Sequence, residues 1–201
     1  MKPFTTTFTL VLGLSLAQAQ ERLSQEEALQ YAKAVGANVP QLNGTPIPTS
    51  VDLTQPVAMR DGEFGGMVLP QSKLTEEALA KPGDKIVAVG QLWLLKLAPV
   101  QDGAPVDAAK LRIATVKTEE GDEVKAPQCA LGVGQNPKGE LELLIFGKDK
   151  EPVLKTTLKK IEGKEGLPLE LNAERTSEAA KVTLRILGKY EASFNVTALD
   201  E

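Results

Sequence analysis

One stretch of the sequence, Lys85–Pro99 (KIVAVGQLWLLKLAP), is almost continuously apolar and holds the one tryptophan of the chain, Trp93. It is too short, and too often interrupted by Gln91 and Lys96, for a membrane-spanning helix, which needs about 20 apolar residues. Its β-branched and aromatic residues and its flanking turn sequences are typical of a buried strand. Because both faces of such a strand are apolar, we expect a long central strand covered on both sides. Gly90 is the predicted position of a bulge, or of a bend where the strand turns a corner.

Alternation along this strand divides its side chains between two faces. One face is predicted to hold Ile86, Ala88, Gly90, Leu92 and Leu94, and the other Val87, Val89, Trp93, Leu95 and Leu97. The sequence therefore predicts that Trp93 lies in the core, on the same face as the two valines.

The sequence after residue 50 consists of short apolar stretches separated by turn sequences. Alternation is clearest in the ranges 167–173, 181–187 and 190–198, and turns such as Asn136–Gly139 separate neighbouring stretches. This spacing predicts a mostly-β fold, an antiparallel β-sandwich or open barrel of about 8–10 strands. A parallel α/β fold would need a helix of about ten or more residues between strands. Only Ser72–Lys81 offers one, so hairpins are favoured.

The first residues resemble the parts of a secretory signal peptide. Lys2 is followed by the apolar stretch Phe8–Leu16 and by the small-x-small sequence Ala17–Ala19, which a signal peptidase would cut. The sequence therefore predicts export to the periplasm or the medium and a mature chain that begins at Gln20. The absence of cysteine at the cut argues against a lipid-anchored form, and no later stretch is long enough to span a membrane.

Three regions are predicted along the chain: a signal peptide at 1–19, an N-terminal helix with a proline-rich arm at 20–50, and the sandwich at 51–201. The first helix is expected to begin at the capping box Ser24–Glu27 and to end at Gly36. A second short helix is expected near 75–81, where a capping threonine precedes two acids.

The most restrictive feature for function is that the sequence contains no histidine. This excludes Ser-His-Asp and Cys-His catalysis and nearly all metal sites that use imidazole. The single cysteine, Cys129, cannot form an internal disulfide or a thiolate cage for a metal, and its apolar surroundings predict a buried free thiol. We therefore predict no cofactor, no metal site and no catalytic residue.

Carboxylate chemistry remains open, because a glycosidase-like enzyme needs only two acids held at a fixed separation. Asp61 and Glu63 flank a turn, and Glu140 and Glu142 share one face of a predicted strand. Turn acids and alternating strand acids are more often solvated than catalytic. A carboxylate-dependent enzyme acting on envelope or extracellular glycans is therefore the alternative hypothesis, and a non-catalytic module is favoured.

Basic and acidic residues are mixed along the chain, which argues against a nucleic-acid partner.

The predicted mature chain has six aromatic residues: Tyr31, Phe64, Trp93, Phe146, Tyr190 and Phe194. Core packing explains five of them, and only Phe64, beside two glycines, has a setting that suggests exposure. The alternative, which the frequency of such turns favours, is that Asp61 and Gly62 form an ordinary hairpin turn and that Phe64 begins the next strand facing the core. Arg60, Asp61, Glu63 and Phe64 are therefore the candidate ligand-binding residues, in a predicted binding or structural module whose partner is an unknown envelope protein or glycan. The oligomeric state is left open.

Overall fold

The computed structural model of this chain describes residues 20–39, 47–117, 121, 123–163, 166–176 and 179–199. Those residues form two α-helices and two antiparallel sheets packed together, one of eight strands and one of six. The predicted mostly-β antiparallel sandwich is confirmed. The predicted signal peptide at 1–19 lies outside the described residues, so it stays a prediction.

Strands dominate the order of elements along the described part of the chain, and many neighbouring strands form hairpins. The elements are β1 (Glu21–Arg22), α1 (Gln25–Gly36), β2 (Val57–Asp61), β3 (Phe64–Pro70), α2 (Glu76–Ala80), β4 (Val87–Leu95), β5 (Leu97–Gln101), β6 (Ala104–Pro105), β7 (Arg112–Lys117), β8 (Glu123–Gln135), β9 (Leu141–Phe146), β10 (Pro152–Thr157), β11 (Lys159–Lys160), β12 (Leu169–Arg175), β13 (Ala180–Ile186) and β14 (Tyr190–Ala198). A 3-10 turn at Ala108–Lys110 leads into β7.

The chain builds the two sheets in alternating blocks. The first sheet has the order β1-β2-β3-β4-β8-β9-β10, with β7 paired to the beginning of β8. The second sheet has the order β12-β13-β14-β5-β6, with β11 paired to β14. All pairs are antiparallel, as expected for strands joined mainly by short turns.

Both helices begin where their capping residues predict. In α1, Glu27 N donates to Ser24 Oγ at 3.3 Å and Ser24 N donates to Glu27 Oε2 at 2.9 Å, which completes the capping box. In α2, Ala78 N donates to Thr75 Oγ1 at 3.3 Å. The buried side of α1 consists of Ala28, Ala32 and Val35.

The buried residues form two main clusters on opposite faces of the first sheet. The inter-sheet core contains Val89, Leu92, Leu94, Cys129, Leu131, Leu143, Ile145, Leu169, Leu184, Tyr190 and Phe194, among others. The helix-side core contains Ala28, Ala32, Val35, Met67, Leu69, Trp93, Ala114 and Val116, among others. Helix α1 thus forms a third layer that covers the outer face of the first sheet.

The stretch Lys85–Pro99 does not form one strand, and this corrects the sequence prediction. β4 belongs to the first sheet and β5 to the second, and the chain turns between them at Lys96, which has a φ of 54°. Gly90 therefore marks no corner. It does mark the predicted bulge, because the pairing of β4 with β8 shifts between Ala88 and Gly90.

The bulge at Gly90 also changes which side chains of β4 share a face. Val89 lies in the inter-sheet core with Leu92 and Leu94, whereas Trp93 lies in the helix-side core. The predicted grouping of Val87 and Val89 with Trp93 is therefore wrong. An extra residue in one strand reverses the alternation beyond it, which a strict two-residue period cannot show.

Five of the six aromatic residues were predicted to be buried, and four are. Trp93, Phe146, Tyr190 and Phe194 lie in the core. Tyr31 is 43% exposed, which corrects its assignment to the buried stripe of α1. The stripe is narrower than predicted because small residues at 28 and 32 let the helix approach the sheet closely.

Cys129 is a buried free thiol, as predicted. Burial raises the pKa of this thiol from 9.0 to about 12, because the thiolate would lose its hydration. The thiolate is the nucleophile that attacks thiol reagents, so we expect slow labelling of the native protein and rapid labelling in denaturant. The release of the reagent's coloured leaving group measures both rates. Rapid native labelling would contradict the burial.

The same shift predicts a pH dependence of stability. The folded protein keeps the Cys129 proton to a higher pH than the unfolded chain, whose thiol ionises near its ordinary pKa of 9.0. The free energy that the neutral Cys129 thiol contributes to folding is therefore fully present below pH 9 and is lost as the pH rises towards 12. Alkaline denaturant titrations of the wild type and of Cys129→Ala should show a steeper loss of unfolding free energy for the wild type.

Candidate functional site

The four candidate ligand-binding residues lie together on the hairpin of β2 and β3. Asp61 pairs directly with Phe64, so Gly62 and Glu63 form a two-residue turn. Gly62 has a φ of 60°, which such tight turns require and glycine adopts without strain. We call Arg60, Asp61, Glu63 and Phe64 the hairpin tip.

Ion pairs connect the hairpin tip to two other elements. Glu63 Oε2 lies 2.6 Å from Lys96 Nζ, and Asp61 Oδ2 lies 3.5 Å from Arg175 Nη1. Lys96 is the corner residue between β4 and β5, and Arg175 ends β12. The hairpin tip is therefore anchored to both sheets at one end of the sandwich.

The hairpin tip is also braced internally. Arg60 Nε donates to Gly62 O at 2.9 Å, which holds the arginine side chain back over the turn. The Asp61 side chain is only 16% exposed, whereas its partner Arg175 is 65% exposed. The tip thus presents mainly Arg60, Glu63 and Arg175 to solvent, with charges of both signs.

Phe64 lies between the two environments that the sequence allowed. Its side chain is half-buried, and it belongs to neither the inter-sheet core nor the helix-side core. It is therefore neither a full core residue nor a freely projecting anchor. A half-buried aromatic beside charged groups of both signs is suited to contact with a partner.

Sequence reasoning missed Lys96 and Arg175. They lie 33 and 114 residues from their partners in the chain, and neither belongs to a local motif. Only the corner at Lys96 and the packing of β12, in the second sheet, against β2 and β3 bring them to the tip. The available signal was weak: a lysine interrupts the most apolar stretch of the sequence.

A second charged cluster joins α2 to the second sheet. Glu76 forms a close ion pair with Lys189 and lies 4.0 Å from Lys160. The hydrogen bond from Lys189 lowers the pKa of Glu76. Burial, together with the Glu76 charge, raises the pKa of Tyr190. The cluster holds a short helix against a sheet edge, so we assign it a structural role.

A half-open groove of about 840 Å³ lies between β10 and the hairpin of β5 and β6. Its charged lining residues are of both signs: Asp107, Lys110, Asp149, Glu151 and Lys155. Pro105 and Pro152 lie on its two walls, and proline lacks the backbone N–H donor that pairing with an added strand would need. The groove thus lacks a single sign of charge with which to select an ionic ligand, and each wall lacks one backbone N–H that an added strand could use.

Glu140, another candidate acid, is held in a turn. Glu140 Oε2 accepts a hydrogen bond from Asn136 Nδ2 at 2.8 Å, within the turn before β9.

Among the described residues, no group of three or more His, Cys, Asp or Glu side chains could hold a metal ion. No helix in the described part of the chain is long and apolar enough to cross a membrane.

Comparison with known proteins gives no assignment. No protein-family model, no curated protein and no solved structure matches the chain.

Proposed function

We propose that this chain is an exported, non-catalytic binding or structural module of the periplasm or cell envelope. Its recognition surface is the hairpin tip together with Lys96 and Arg175, and its partner is an envelope protein or glycan. The tip is a short loop on a rigid two-sheet scaffold, which is where such folds commonly carry recognition. Its half-buried aromatic and mixed charges support this proposal.

The observation that carries the proposal is that both acids of the hairpin tip are paired with basic side chains, Asp61 with Arg175 at 3.5 Å and Glu63 with Lys96 at 2.6 Å. The pKa values of Glu27, Asp52 and Glu76 are all lowered, each chiefly because the carboxylate accepts a hydrogen bond from another residue's side chain. A general acid in a glycosidase needs the opposite shift, because it must hold its proton near neutral pH. These carboxylates stay ionised and stabilise a helix cap, a turn and a helix contact. Together with the ion-paired acids of the hairpin tip, these structural carboxylates support a binding or structural role.

Export is tested by the mature N-terminus. We expect a full-length precursor, produced in a host with a periplasm, to be recovered from that compartment with residues 1–19 removed, because Ala17–Ala19 fits the cleavage rule. Intact mass and N-terminal peptide mapping give the result. A full-length product in the cytoplasm would show that the apolar segment is not a signal peptide.

Recognition by the hairpin tip is tested with Phe64→Ala. Because Phe64 is only half-buried, we expect a loss of about 1 to 2 kcal/mol in unfolding free energy. Binding to isolated cell-wall glycan, or to a cross-linked envelope protein, should fall much more strongly. Chemical denaturation, sedimentation with the glycan and cross-linking in envelope fractions measure the three effects.

A matched control is Asn195→Ala, which removes an exposed polar side chain from β14. It should leave both stability and binding unchanged. Equal binding by wild type and Phe64→Ala would show that the hairpin tip is not the recognition surface. Release of soluble reducing sugars from the glycan by the purified protein would instead favour the carboxylate-dependent enzyme.

A further inference from the structure

Gln20 immediately follows the predicted signal-peptidase bond and immediately precedes β1. The chain is attached to the first sheet from the next residue onwards. Glu21 lies opposite Arg60, and Leu23 N donates to Ala58 O at 3.0 Å. Gln20 is thus the last residue outside the pairing, at the edge of the sheet that carries the hairpin tip.

The side chain of Gln20 is available for chemistry. Gln20 is partly exposed, and no hydrogen bond within the described part of the chain holds its carboxamide. In a chain that begins with glutamine, the α-amino nitrogen and the side-chain carbonyl carbon can meet in an unstrained lactam ring. The ordinary pKa of an α-amino group is about 7.7 to 8.0, so a usable fraction is unprotonated and nucleophilic at neutral pH.

We propose that Gln20 is a modification site, at which the mature chain cyclises to an N-terminal pyroglutamate. This inference rests on the proposed export, since cleavage creates the reactive amine. The α-amino nitrogen attacks Cδ of Gln20 and forms a new C–N bond. The bond between Cδ and Nε2 breaks, and ammonia leaves with the proton from the amine. The reaction needs no oxidant, reductant or second substrate.

The position of the modification gives it a structural consequence. Pairs in an antiparallel ladder alternate in their bonding, and the bond from Leu23 to Ala58 makes the pair of Glu21 and Arg60 a hydrogen-bonded one. Removal of Glu21 would therefore expose the backbone groups of Arg60 at a sheet edge, where unpaired strands invite association. A lactam has no free amine for an aminopeptidase to bind, so the modification preserves β1 beside the hairpin tip.

The experiment uses two preparations of the chain 20–201. One is the exported protein, and the other is a fusion cut in vitro so that Gln20 becomes the first residue. We expect the exported protein to have the mass of the chain less one ammonia and to resist Edman sequencing until pyroglutamyl peptidase is added. The fusion product should lose ammonia during incubation at neutral pH.

Gln20→Ala is the matched control, because alanine has no carboxamide to attack. A broad-specificity aminopeptidase should trim this variant past Glu21 and leave the cyclised wild type intact. Hydrogen exchange of the Arg60 amide should then become faster in the trimmed variant alone. These readouts separate the modification from the stability of the fold.

The outcomes distinguish this inference from the proposed export. A free amine on Gln20 in both preparations after incubation would overturn the cyclisation and leave export standing. An exported product that begins at another residue would overturn both. Equal trimming of the cyclised wild type and of Gln20→Ala would overturn the protective role.

Discussion

Substitution of Trp93 by alanine is expected to destabilise the protein by about 3 to 5 kcal/mol, as is usual for a large buried aromatic residue. Trp93 is only 3% exposed and lies in the helix-side core. Its Nε1 donates to Gln91 Oε1 at 3.1 Å, and Gln91 Nε2 donates to Thr49 Oγ1 at 2.8 Å. The substitution therefore leaves a cavity and also removes the donor for a fully buried amide.

Thermal and chemical denaturation measure this loss, which corresponds to a fall of about 6 to 20 °C in melting temperature for a chain of this size. Because Trp93 shares a cluster with Ala28 and Ala32, hydrogen exchange in α1 should accelerate more than in β13 and β14. Tyr31→Ala is the control, since it removes an aromatic side chain from the exposed side of α1. A native fluorescence maximum typical of exposed tryptophan would contradict the assignment.

Substitution of Gly90 by alanine is expected to be similarly severe. Gly90 has a φ of 151°, and a Cβ there would lie 2.2 Å from the carbonyl oxygen of Leu69 and 3.1 Å from Leu169 Cδ2. Backbone strain and overpacking each cost about 1 to 3 kcal/mol. The clash is with backbone on β3, so no rotamer change relieves it. We expect a loss of about 4 kcal/mol in unfolding free energy.

The variant Gly83→Ala separates the effect of backbone strain from the effect of overpacking. Gly83 also has a positive φ, of 61°, but no atom lies within 4 Å of an added Cβ. Its substitution should cost only the strain of the left-handed conformation, about 1 to 2 kcal/mol. If chemical denaturation gave the same loss for both variants, close approach of β3 to Gly90 would not be the reason for glycine in β4.

The candidate site shows what local sequence can and cannot indicate. The hairpin with Asp61 and Gly62 was predicted from its turn residues, because a tight turn has strict backbone requirements. The partners of Asp61 and Glu63 were not predicted, since Arg175 and Lys96 reach the tip only through the packing of distant strands. The sequence allowed Phe64 either a core position or an exposed position, and the structure shows a half-buried side chain.

The sequence alone determined the fold class, the two capped helices, the buried thiol of Cys129 and the burial of Trp93. These features follow from short-range rules: alternation, capping chemistry and the hydrophobicity of a stretch depend on neighbouring residues. Tertiary structure decided the break at Lys96, the reversed faces around Gly90 and the role of α1 as a third layer. Each depends on which strand lies beside which, and the free energy of that choice comes from contacts between residues far apart in the chain.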